Sequence, residues 1–160
     1  MARGVPGSPQ PLERSDAVAI YRLRAGRRIL NALVRVLLGS GLGPARTYLL
    51  RGWKSGQLRS TPVTLVEEAA FRWVVAPYGE VGWVRNARAA GEGVLSRGRR
   101  SEAIVLFELE PAEAAPVLKR YLSQVPITRP FFDVTPASSL AEFTAEAPRH
   151  PVFRVVRIAA

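Results

Sequence analysis

Between residues 45 and 76 the chain breaks into three short runs, ARTYLLR, STPVTLVEE and FRWVVA. Each is rich in β-branched or aromatic residues and bounded by turn formers, the pattern of antiparallel strands. The same rhythm returns later: GVLSRGRRSEAIVLFELE reads as a hairpin turning at Arg97-Gly98, and PVFRVVRI as a last strand. Helical signals fall between and before these runs. GWVRNARAAGE is compatible with a short helix, and PAEAAPVLKRYLSQ is a helix with proline near its start and Pro116 placed to kink it. After the loop VPITRPFFDVTP, Ser139 with Glu142 three residues on is a capping-box signature for another short helix. The sum is one α+β domain over residues 15–160, with five or six mostly antiparallel strands and short inserted helices.

Ahead of the strands the period is helical. Ile20, Leu23, Leu30, Leu33, Val34, Leu37 and Leu38 recur at three- and four-residue spacing over residues 16–38, with Arg22, Arg24, Arg27, Arg28 and Arg35 between them. Residues 1–14, rich in Pro, Gly and Arg, read as a flexible tail. They carry no apolar stretch of the secretory kind, and the absence of cysteine excludes disulfides and thiolate chemistry. A cytoplasmic protein is expected.

The charge is uneven. The formal net charge is +10, and residues 1–60 hold 11 basic side chains against two acidic ones. A positive N-terminal third implies an anionic partner, and composition alone leaves nucleic acid, a membrane surface and a small polyanion open. Nucleic acid has the least support, because no recognised motif and no interleaved aromatic platforms accompany the cations. The apolar stripe of helix 16–38 could lie on the inner face of an anionic membrane, or pack on the barrel with its arginines solvated.

Catalytic side chains are scarce. His150 is the one histidine, expected in a loop at the start of the last strand, without the partners a metal site needs. No Gly-x-Ser-x-Gly elbow is present. Glu67 and Glu68, adjacent at a hairpin, point apart and are expected in solvent. An enzyme built from this chain would need a cofactor to carry the chemistry.

Two segments could hold one. In RGWKSGQLRSTP, residues 51–62, the turn at Lys54-Ser55-Gly56, the Thr61 hydroxyl and Arg59 could form an anion nest. Read alone, the stretch fits a charged hairpin tip as well. It is not a phosphate-binding P-loop, because the Gly-x4-Gly-Lys spacing is absent. In VVAPYGEVGWVRN, residues 74–86, glycines at a strand end would let a flat ring lie against the backbone, with Tyr78 and Trp83 adding aromatic faces. The alternative is that Trp83 plugs the barrel end.

Taken in order, Lys54-Ser55-Gly56-x-x-Arg59-x-x-Pro62, Val75-Ala76-x-x-Gly79 and Trp83-x-x-Asn86 resemble the deazaflavin-dependent nitroreductase family, F420-binding oxidoreductases with a split β-barrel fold. The likeness is carried by residues 40–110 and extends to RPFFDVTP and FTAEAPRHPVFR. The resemblance implies coenzyme F420 as cofactor, ahead of FMN, and hydride transfer to a small quinone- or nitroaromatic-like acceptor. A non-catalytic barrel holding F420, flavin, haem or a fatty acid is the alternative, and the chain could be monomer or dimer. The implied cofactor contacts are Trp53, Lys54, Ser55 and Arg59 at the phosphate and acidic tail, then Ser60, Thr61, Pro62, Val63 and Thr64 alongside. Ala76, Pro77, Tyr78 and Gly79, with Gly82, Trp83, Val84, Arg85 and Asn86, would line the ring. No residue is assigned a catalytic role and no metal is implied. Tyr121, Phe131 and Phe132 are the aromatics available to an acceptor pocket.

One departure stands out. The family commonly has arginine directly before the lysine, where this chain has Trp53. A missing charged hydrogen bond is worth about 1.5–3 kcal/mol, roughly ten- to over a hundredfold in affinity. Arg51, on the preceding strand, is the nearest cation that could reach around to replace it.

Overall fold

The computed structural model describes residues 47–54 and 57–159, without the side chains of residues 53, 54, 57 and 58. The tail 1–14, the helix expected over 16–38, and Ser55 and Gly56 lie outside the described residues.

Among the described residues six strands close into an antiparallel barrel: β1 (Thr47–Lys54), β2 (Gln57–Glu68), β3 (Phe71–Val75), β4 (Glu92–Arg97), β5 (Arg100–Glu108) and β6 (Val152–Arg157). Their order around the barrel is β1-β2-β3-β6-β5-β4, and β1 closes on β4 with Leu50 opposite Leu95. Three hairpins account for the sequence rhythm. β2 turns into β3 at Ala69, whose φ of 52° makes a non-glycine residue adopt the left-handed form. β4 and β5 pair as far as Arg97 opposite Arg100, so the turn lies at Gly98-Arg99, one residue later than expected; Gly98, at φ 58°, supplies the left-handed position.

Side-chain alternation divides the apolar residues between two cores. Leu50, Val63, Leu65, Val74, Leu95, Ile104, Leu106, Phe153 and Val155 fill the barrel, and helix α1 (Gly82–Ala90) adds Val84 and Ala87. The second core lies on the outside of the sheet. There Val66, Val75 and Val152 meet helix α2 (Pro111–Gln124) through Ala114, Leu118, Tyr121 and Leu122, and helix α3 (Leu140–Glu146) through the fully buried Phe143. Pro116 does not end α2, which runs on to Gln124. Ser139 caps α3 as its spacing predicts: its hydroxyl accepts the Glu142 amide at 3.2 Å, while the Glu142 carboxylate accepts the Ser139 amide at 2.7 Å. The loop 125–136 contains a 3₁₀ turn, Pro126–Phe131.

Among the described residues no helix is long and apolar enough to cross a membrane.

Candidate functional site

The barrel is incomplete on one flank of β2. Residues 57–64 pair with β1, and residues 65–68 pair with β3, starting at Leu65 opposite Val74. β3 ends at Val75, so among the described residues no strand pairs with the second flank of 57–64. A strand flank of this kind presents backbone N–H and C=O groups to whatever lies beside it. Pro62, which has no N–H to give to a ladder, is tolerated in a strand that is half open. Ser60, Thr61, Pro62 and Thr64 are half-buried along this stretch, Val63 is buried in the barrel core, and Arg59 is exposed.

The chain leaving β3 continues into a glycine-containing loop that leads to α1. Ala76 is fully buried, Pro77 and Gly79 are half-buried, and Tyr78 is exposed. The Gly79 amide donates to the Ala76 carbonyl at 3.2 Å, and the Val81 amide to the Gly79 carbonyl at 2.9 Å, which folds the loop tightly into α1. Gly79 holds φ 82°, the left-handed form that a side chain would oppose. α1 then begins at the exposed Gly82 with no side-chain cap at Val81 and no acid in its first turn. Its leading amides and the positive end of its dipole favour an anionic or hydrogen-bond-accepting group. A Cβ at Gly82 or at Gly52 would meet nothing within 4 Å. Gly52 lies opposite Arg59.

The sequence-predicted residues fall into two stretches, 60–64 on the half-open strand and 76–79 with 82–86 on the loop and helix start, which share the barrel core through Val63, Ala76 and Val84. Within α1, Val84 is buried in the barrel core, Asn86 is half-buried and Arg85 is exposed. Trp83 is half-buried and packs on the barrel core, its ring 5.6 Å from that of Phe153, so it does plug the barrel end. The side chains of Trp53 and Lys54 and all of Ser55 lie outside the described residues. By strand alternation Arg51 shares a face with position 53, where the family has its arginine, and Arg59 shares the opposite face with position 52. The Arg51 Nε is buried without a hydrogen-bond partner.

Tyr121 and Phe132 belong to the second core; only Phe131, exposed and edge-on to Tyr78 at 4.7 Å, stands beside the loop. Burial pushes the Tyr121 phenol up, against a hydrogen bond with Thr128 that lowers it, so this side chain stays neutral. His150 stands in the loop just before β6, as expected, and is buried there. Its ring stacks on Phe132 at 3.8 Å, Nδ1 lies 2.9 Å from the Pro77 carbonyl, and Nε2 lies 2.9 Å from Glu146 Oε1. A carbonyl only accepts, so Nδ1 is the donor there. The spacing Glu146-x3-His150 was the signal in the sequence. A lone histidine had drawn attention away from it.

Glu146 is 5% exposed. Burial works against its charge, yet hydrogen bonds from Arg149, the Asp133 amide and His150 outweigh burial and hold the carboxyl below the usual range. With both ring nitrogens engaged and one face covered, His150 is not placed to exchange protons with a substrate. Among the described residues no group of three or more metal-ligating side chains exists. What these stretches offer a ligand is backbone groups and glycine-lined space, and among the described residues no acid–base pair accompanies them.

No protein-family model and no curated protein matches the chain. Solved structures do resemble it. An F420-H2 dependent reductase is 22% identical, with 70% of this chain and 95% of that chain covered, at a TM-score of 0.51. A protein described as a domain-swapped dimer is 23% identical over 86% of this chain and 98% of its own, TM-score 0.51. A Listeria innocua protein provisionally described as a pyridoxamine 5'-phosphate oxidase is 9% identical over 71% and 85%, also at 0.51. These likenesses establish the fold, a split β-barrel.

Proposed function

We propose that this chain is a redox enzyme that binds coenzyme F420 and transfers a hydride between it and a small quinone- or nitroaromatic-like acceptor. The observations that support the proposal are the flank of residues 57–64, which no described strand pairs, and the glycine loop 76–79 that leads from β3 into the uncapped start of α1. A planar heterocycle needs that combination: backbone groups for its polar edge, and glycines that let it approach. Lys54, Ser55 and Arg59 would take the phosphate and acidic tail at the far end of the same strand pair.

The residues present fit the group. Positions 52 and 82 are open where a side chain would intrude, and the cations precede the strand that would run along the ring. When bound in its reduced form, F420 supplies two electrons and a proton as hydride, and the acceptor draws its second proton from water. The chain's own part is to bind, to orient and to keep the ring against backbone. That division of labour agrees with a site that offers no acid–base pair.

A fluorescence and absorbance titration with F420, run beside FMN, tests the reading. Micromolar or tighter F420 binding is expected, and Lys54→Ala with Arg59→Ala should weaken it at least about a hundredfold, from two charged hydrogen bonds. No F420 binding by the wild-type protein refutes the proposal, and preferential FMN binding refutes the choice of cofactor. Oxidation of reduced F420 by quinones or nitroaromatics separates an enzyme from a carrier, which would bind without turnover.

A further inference from the structure

The loop 76–79 is held from behind by three consecutive residues. The β3–β6 ladder places Val75 opposite Val152, and its register continues beyond both strands. The Ala76 amide donates to the Pro151 carbonyl at 2.9 Å. His150 Nδ1 donates to the Pro77 carbonyl at 2.9 Å. The Arg149 carbonyl backs Gly79 so closely that a Cβ there would come within 3.3 Å of it. Residues 149–151 thus run antiparallel to the loop and touch it at three points.

That strip is itself fixed. Glu146 Oε1 accepts from the Asp133 amide at 3.1 Å and meets His150 Nε2, while Arg149 bridges Glu146 and Asp133. Phe132 covers one face of the imidazole. The His150–Pro77 contact is the one of the three made by a side chain, so it can be altered without touching the backbone.

We propose that residues 149–151 are the template for loop 76–79, and that His150, seated by Glu146 and Phe132, is the positioning residue that sets the Pro77 peptide for cofactor binding. The carbonyl and the next amide point in opposite directions across a planar trans peptide, so anchoring the Pro77 carbonyl also fixes the direction of the Tyr78 backbone. The cofactor part of this proposal rests on the F420 reading; the template part does not.

Two variants and two readouts test it. His150→Phe keeps a ring against Phe132 and removes both donors; His150→Asn returns an amide donor near the position of Nδ1. Amide hydrogen exchange in the unliganded protein should quicken at least about tenfold at Ala76 and Gly79 in His150→Phe, and return to within about threefold of wild type in His150→Asn. F420 affinity should follow the same order, while exchange in the α2–α3 core stays level. Should His150→Phe not fold, His150→Gln, which serves Glu146 and leaves Pro77 without its donor, takes its place. Unchanged exchange at residues 76 and 79 overturns the proposal. So does equal loss in both variants in step with global stability, which is the mark of a packing role. If wild-type protein fails to bind F420 while exchange responds as stated, the cofactor reading falls and the template stands.

Discussion

The substitution Gly79→Ala isolates the rigidity of the loop, and two other glycines calibrate it. Gly91, at the C-cap of α1, holds φ 68° with nothing within 4 Å of an added Cβ, so Gly91→Ala pays only for the backbone. The left-handed form costs an alanine about 1–2 kcal/mol, and reduced freedom of the unfolded chain returns about 0.4–1, leaving a net loss of about 1 kcal/mol. Gly79→Ala carries the same backbone cost at φ 82° and adds a contact with the Arg149 carbonyl at 3.3 Å. That carbonyl belongs to a residue tied to Glu146 and Asp133, so it gives little, and the net loss should reach about 1.5–2 kcal/mol. Gly82 has neither a positive φ nor a neighbour within 4 Å, and Gly82→Ala should leave stability level or slightly raised. Urea unfolding followed by tryptophan fluorescence reads all three; at a slope of about 1–3 kcal/mol/M, a loss of about 1.5 kcal/mol moves the midpoint down by about 0.5–1.5 M. F420 titration then separates them again. Gly82→Ala should lose affinity without losing stability, because its methyl enters the open side, and Gly79→Ala should lose both. Equal midpoints for Gly79→Ala and Gly91→Ala would show that the Arg149 carbonyl moves aside, and the argument for a rigid loop would fail.

Two further outcomes follow from the C-terminal half. The Glu146 carboxyl lies below the usual range in the folded protein, so its contribution is complete above the ordinary carboxyl range and is lost as pH falls through the folded value. The urea midpoint of Glu146→Gln should therefore trail wild type at pH 7 and converge on it below about pH 4, and a gap that stays constant with pH would contradict this. Ser139→Ala removes the hydroxyl that accepts the Glu142 amide and should cost about 1 kcal/mol by the same urea assay, whereas no change would mean that the cap is replaced by water.

The strands were legible because their period is short and their turns are marked. Gly98 and the two-alanine turn after Glu68 set hairpins wherever a β run ended. The capping box at Ser139 and Glu142 was legible for the same local reason. What escaped was long-range. Nothing in FRWVVA or STPVTLVEE says that β2 will be shared between β1 and β3, because that depends on where β3 stops. Pro62 carries a hint, since a proline inside a strand calls for an unpaired edge. The place of Tyr121 and Phe132 could not be read ahead, because aromatic character says nothing about which side of a sheet a residue will cover. Both were claimed by the second core, and Phe131 alone was left beside Tyr78.

The distribution of charge bears on what the site can bind. Residues 61–160 hold 12 basic and 11 acidic side chains, and five of the eleven arginines there are drawn into ion pairs: Arg72 and Arg157 with Glu102, Arg88 with Glu80 and Glu108, Arg120 with Glu68, Arg149 with Asp133 and Glu146. The excess lies in residues 1–60, which include Lys54 and Arg59. On the F420 reading this excess is what a multiply anionic cofactor draws on, so Lys54→Ala with Arg59→Ala should lower affinity more than it lowers stability.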